Sequence, residues 1–146
     1  DRIVVQDWYS SYTHVLDADL ARWERKAFAK LGIRHGGAMA YDAESDRLIL
    51  FGGWLADNSG CSDATWAYDT NTDTWTQMKP EAAPPPRVAG VMVYDESSDR
   101  MYLWGGWCTA MFRFPYQSRV RCSFVCWRPG STTLTSIPGL VGTHPA

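Results

Sequence analysis

Residues 34–54, RHGGAMAYDAESDRLILFGGW, return almost unchanged at residues 87–107 as RVAGVMVYDESSDRMYLWGGW. Arg34 and Arg87, Tyr41 and Tyr94, Asp46 and Asp99, and Gly53 and Gly106 each stand 53 positions apart. One supersecondary unit is therefore repeated at a fixed period, and periods of about 50 belong to stacked or circular architectures. Such a unit cannot bury its apolar faces by itself, so its core has to be shared with neighbours.

The repeat extends past each glycine pair. After Gly52 and Gly53 an aromatic stretch leads through the polar turn from Asp69 to Asp73 into a segment carrying Trp75. Tyr68 and Trp75 are seven positions apart, and the same offset joins Leu16 to Trp23 and Trp127 to Leu134. The opening residues DRIVVQDW parallel DRLILFGGW and DRMYLWGGW, with Gln6 and Asp7 where the glycines stand.

Each unit reads as four short strands. RHGGAMAYD is the first, alternating small and apolar residues. The hairpin from Ala43 to Asp46 reverses the chain into RLILFGG, so uniformly apolar that both of its faces should be covered. Gly52 and Gly53 should end that strand, since without a Cβ they accept positive φ or the close approach of another backbone. A longer loop leads to the third and fourth strands, and Pro84, Pro85 and Pro86 form an extended link to the next unit.

An arginine-led strand, an apolar strand ending in a glycine pair, and a tyrosine followed by a tryptophan across a polar turn resemble the kelch repeat. The resemblance implies an all-β fold in which each repeat is one four-stranded antiparallel blade of a β-propeller. It divides the chain into a partial blade at residues 1–30, holding the last three strands, a full blade at 31–83, and a blade with a longer basic loop at 84–146. Gly52, Gly53, Gly105, Gly106, Tyr68, Trp75 and Trp23 are its structural positions. Propellers close with about four to eight blades, so the ring is incomplete in 146 residues. A piece of a longer polypeptide, an oligomer and a capping subunit each account for that. Asp1, aligned with Asp46 and Asp99, favours the first.

A composition of 45% hydrophobic and 14% aromatic residues, with eight tryptophans, suits a folded β-domain. No run approaches the ~18 apolar residues of a membrane span, so insertion is not expected. The compartment is left open. All sixteen acidic residues lie at or before Asp99, leaving the rest locally basic. Arg113, Arg119 and Arg121 stand among aromatics in what reads as an insertion able to grip an acidic surface. Neither pI nor any motif recommends nucleic acid as its partner.

Cys61, Cys108, Cys122 and Cys126 form no metal signature, because strand residues four apart lie roughly 13 Å apart along one face. Pairing of Cys61 with Cys108 would imply an oxidising compartment; buried free thiols are the preferred reading. His14, His35 and His144 are scattered, and the acidic residues gather in DAESD, DTNTD and DESSD, where they serve turns. No catalytic residue, metal or cofactor is therefore assigned. Binding is expected on the rim loops, with Trp54, Trp107, Arg113, Arg119 and Arg121 as candidates and Arg34 and Arg87 behind them. The resemblance implies a non-catalytic protein-interaction scaffold, partnered by another protein or by neighbouring blades as a complex subunit or oligomer. The alternative it allows is a fragment of an enzymatic propeller similar to galactose oxidase, although no residues here match a copper site.

Overall fold

The computed structural model describes residues 2–7, 11–17, 19, 21–28, 31–32, 34–57, 59–80, 83–108, 125–127 and 134–136. These residues are all-β, and every named strand pairing is antiparallel. Strands β1 (Arg2–Gln6), β2 (Tyr12–Asp17) and β3 (Arg22–Phe28) form a first sheet in the order β1-β2-β3. Next come β4 (Arg34–His35), β5 (Ala38–Asp42), β6 (Arg47–Phe51), β7 (Trp54–Leu55), β8 (Thr65–Asp69) and β9 (Thr74–Met78). The second sheet runs β5-β6-β8-β9, with β4 and β7 paired beside it. The third is β10 (Val88–Asp95), β11 (Arg100–Trp107), β12 (Val125–Trp127) and β13 (Leu134–Ser136) in chain order.

The seven-residue offset marks directly opposed residues. Tyr68 pairs with Trp75, Leu16 with Trp23 and Trp127 with Leu134 across their hairpins. The Tyr68 and Trp75 rings stand 5.1 Å apart. Three hairpins, β5–β6, β8–β9 and β10–β11, are each locked by an aspartate. Asp42 accepts the backbone N–H groups of Glu44 and Ser45, Asp69 those of Asn71 and Thr72, and Asp95 that of Ser97. Asp46, Asp73 and Asp99 then close the turns with φ of 54°, 54° and 50°, the left-handed conformation that aspartate tolerates better than most residues.

Two expectations about the strands change in detail. RHGGAMAYD is split, because Gly36 at φ 63° turns the chain between β4 and β5. In the second copy, Ala89 takes the same conformation at φ 55° without breaking β10. The glycine pair ends β6 at Phe51, whereas β11 runs through Gly105 and Gly106 to Trp107. The pairing is nonetheless the same, His35 with Trp54 and Val88 with Trp107.

The second sheet is covered on both sides. Leu50 and Trp66 pack with Leu31 and, more loosely, Met39 and Trp75 on the side of the first sheet. Ile49, Phe51, Ala38 and Ala67 face the other way, against Met101, Leu103 and Met92 of the third. Hence Ile49, Leu50 and Phe51 are buried in succession, as a doubly covered strand requires. The indole N–H of Trp75 donates to Thr13 Oγ1 at 2.7 Å, and Thr13 donates to Gln6 Oε1 at 2.8 Å, tying the first sheet to the second.

The sheets follow one another in a single sense. Ala38, Ala40, Ile49 and Phe51, on the face of the second sheet that meets the third, correspond by the repeat to Val91, Val93, Tyr102 and Trp104. Those four lie on the outer face of the third sheet. Leu48, Leu50, Tyr68 and Trp75, on the opposite face, correspond to Ile3, Val5, Leu16 and Trp23 on the outer face of the first.

The reading of buried free thiols is corrected for one pair. Cys61 and Cys108 are joined by a disulfide across a sequence separation of 47, and Cys108 is exposed. The loop before β8 and the end of β11 bring them to a Cα–Cα distance of 6.0 Å, within disulfide reach.

Candidate functional site

The lead arginines act within the fold. Arg34 donates through Nε to Leu31 O at 2.8 Å and through a terminal nitrogen to Gly52 O at 3.2 Å. Arg87 repeats this with Pro85 O at 3.1 Å and Gly105 O at 2.8 Å. Each guanidinium thus holds the carbonyl of the first residue of the strand-end glycine pair of its own unit, and Arg87 is buried while doing so. The Gly52–Gly53 pair is also a junction between units. Gly53 N–H donates to Arg87 O at 2.9 Å, and Ser62 N–H to Gly53 O at 2.8 Å.

Trp54 and Trp107 are gathered at one rim. Trp54 bridges to Cys61, Cys61 is bonded to Cys108, and Trp107, adjacent to it, is half exposed. Trp54 itself is partly buried. Arg113, Arg119 and Arg121 lie outside the described residues.

Further exposed apolar side chains lie on the two outer sheet faces. On the outer face of the third sheet Val91, Val93 and Trp104 are 58%, 54% and 46% exposed. On the outer face of the first, Ile3, Val5 and Trp23 are 53%, 43% and 53% exposed. Sequence reasoning placed Trp23 among structural positions and left the valines unassigned. Their signal was present in VAGVMVYD, whose alternation marks a strand with two different faces. The sequence could not say which face lacks a cover.

Charge concentrates at the junction of the first two sheets. Lys26 Nζ lies 2.8 Å from Asp73 and 2.9 Å from Glu24. Arg2 donates to Asp73 Oδ1 at 3.2 Å and to Thr70 O, and Tyr68 OH donates to Asp73 Oδ1 at 2.7 Å. Burial opposes ionisation of Asp73, yet hydrogen bonds from Lys26 and Tyr68 outweigh it and hold the carboxyl below its ordinary value of 3.8. The Tyr68 hydroxyl is pushed up, first by burial and then by Asp73.

A folded carboxyl held low contributes stability above its unfolded value and loses it as pH falls through the folded one. Asp73→Asn is therefore expected to cost about 1–2 kcal/mol at pH 7, a partly solvated charge-assisted contact. In urea titrations the gap from the unsubstituted protein should narrow below pH 4. A gap that stays constant to pH 2 would mean that the Asp73 charge contributes nothing.

No family model matches the chain. Over 76 residues it is 37% identical to dynein regulatory complex subunit 7 of Chlamydomonas reinhardtii, covering 50% of this chain and 6% of that protein. Over 74 residues it is 31% identical to Mei4-dependent protein 6 of Schizosaccharomyces pombe, covering 51% of this chain and 10% of that protein. The chain thus matches only a small part of either relative. Neither name refers to a kelch repeat. No helix long and apolar enough to cross a membrane occurs among the described residues.

Proposed function

We propose that the three sheets are consecutive blades of a kelch-type propeller and that the chain serves as a non-catalytic interaction scaffold within a larger propeller or assembly. One observation carries this reading. The stack ends on both sides in an exposed apolar face, and each face has a repeat counterpart that is covered by a neighbouring sheet inside the molecule. Patches of that kind mark interaction surfaces. Similarity to a relative named as a subunit of a complex agrees with membership of an assembly.

The neighbour in this reading is another sheet of the same kind, meeting Val91, Val93 and Trp104 as the third sheet meets Ala38, Ala40 and Phe51. The purified chain should therefore associate with increasing concentration. Val93→Arg with Trp104→Glu should return it to a mass of 16.4 kDa while leaving its thermal transition within a few degrees of the original. Sedimentation velocity from 5 to 200 µM makes the comparison. An unsubstituted chain that stays monomeric throughout would remove the basis for the proposal.

A further inference from the structure

The rim that carries Trp54 and Trp107 has a buried layer and an exposed one. In the buried layer Gly53, Ser62 and Arg87 join the second sheet to the third: Gly53 N–H donates to Arg87 O at 2.9 Å, Arg87 N–H to Ser62 O at 3.4 Å and Ser62 N–H to Gly53 O at 2.8 Å. Ala38 and Phe51 add apolar contact with Leu103, and Ile49 with Met101. These bonds and contacts involve no sulfur.

The exposed layer consists of two chain segments. One leaves β7 at Leu55, exposes Ala56, Asp57 and Ser59, and returns to Cys61. Leu55 N–H donates to Gly60 O at 2.9 Å, and Trp54 bridges to Cys61. The other segment is the end of β11. β12 pairs with β11 from Met101 to Leu103, whereas Gly105 and Trp107 lie opposite Gly90 and Val88 of β10. Trp107 and Cys108, at the tip of this segment, are exposed. The Cys61–Cys108 bond ties the two segments across a sequence separation of 47, with the Cys61 sulfur 3.9 Å from Trp107 O.

We propose that this disulfide is a redox-sensitive clasp: a dithiol opens it in the folded protein and frees both exposed segments, while the buried layer keeps the sheets together. Access decides which sulfur of a disulfide is attacked. Cys108 is exposed and Cys61 half-buried, so the incoming thiolate bonds to Cys108 Sγ and Cys61 leaves as a thiolate. The second thiol of the reductant, once deprotonated, displaces Cys108 and closes the reductant's own disulfide. Two electrons pass to the protein, and the two protons released by the dithiol end on Cys61 and Cys108. Each segment keeps the bonds within its own sheet, so the opening is local rather than global. The spacing of Trp54 and Trp107, fixed in the oxidised protein, is released with it. The clasp does not depend on reading the sheets as propeller blades.

The intact, oxidised protein is treated with millimolar dithiothreitol in native buffer. Alkylation and mass spectrometry should then find both thiols free, and hydrogen exchange should quicken at least tenfold at Leu55 and across residues 105–108. Over the same period Ile49, Leu50 and Phe51 of β6 should remain protected. With reduced glutathione, which has one thiol, and iodoacetamide together, the trapped species should carry glutathione on Cys108 and the alkyl group on Cys61. Serine at both cysteines should give the fast exchange with and without reductant. A bond that resists the dithiol until β6 loses its protection overturns the inference. So does glutathione found on Cys61, or exchange that stays slow at Leu55 and residues 105–108 once the bond is cut.

Discussion

Serine at both Cys61 and Cys108 is expected to lower the unfolding free energy by about 4 kcal/mol, the loop-closure value for a cross-link spanning 47 positions. For a chain of this size that corresponds to a fall in Tm of roughly 8–16 °C. The effect should be regional, because the bond ties the loop before β8 to the end of β11. Exchange should therefore rise first at Leu55, whose N–H donates to Gly60 O at 2.9 Å. Reductant acting on the unsubstituted protein should reproduce the same shift. Calorimetry showing no difference between the serine variant and the oxidised parent would mean that this linkage contributes nothing to stability. Such a bond persists in an oxidising environment and is rare in a reducing one.

Gly52→Ala is expected to be nearly as costly, and Gly105→Ala much less so. The two glycines hold the same place in the repeat and similar φ, 74° and 70°. A Cβ at Gly52 would meet Arg87 O at 2.5 Å, whereas one at Gly105 has nothing within 4 Å. Both substitutions carry the left-handed penalty of about 1–2 kcal/mol. Only the first must also push away the backbone that begins the next unit, so a total of about 3–4 kcal/mol is expected for Gly52→Ala. Denaturant titration of both variants reads this contrast directly. Equal losses would show that the close approach of Arg87 is not what the glycine serves. A further sheet following the third would crowd Gly105 as Arg87 crowds Gly52, and Gly105→Ala would then become about as damaging as Gly52→Ala in the assembled state.

The period of the sequence made most of the β-architecture legible. Strand pairs seven residues apart, the apolar run of β6 and the turn aspartates all follow from local chemistry repeated at fixed intervals. The roles of Arg34 and Arg87 were not legible, because a strand-leading arginine reads equally well as a solvent-facing anchor. Its bond to a glycine carbonyl 18 residues on depends on a tertiary fold that brings the strand start to the end of its neighbour. The Cys61–Cys108 disulfide was named in the sequence but not preferred over free thiols, for a related reason. Cys61 and Cys108 sit after their glycine pairs at unequal distances, and only the stacking of the second and third sheets brings them together. Trp23 was legible as a cross-strand partner of Leu16 but not as an exposed side chain, since exposure depends on what lies beyond the first sheet.

The uniform sense of the stack has a consequence for growth. A surface that recognises a different surface, rather than itself, has no twofold axis to stop at. Copies joined in this way add from either end with their polarity preserved. The turn between successive sheets alone decides whether such an assembly meets its own tail as a circle or runs on as a fibre.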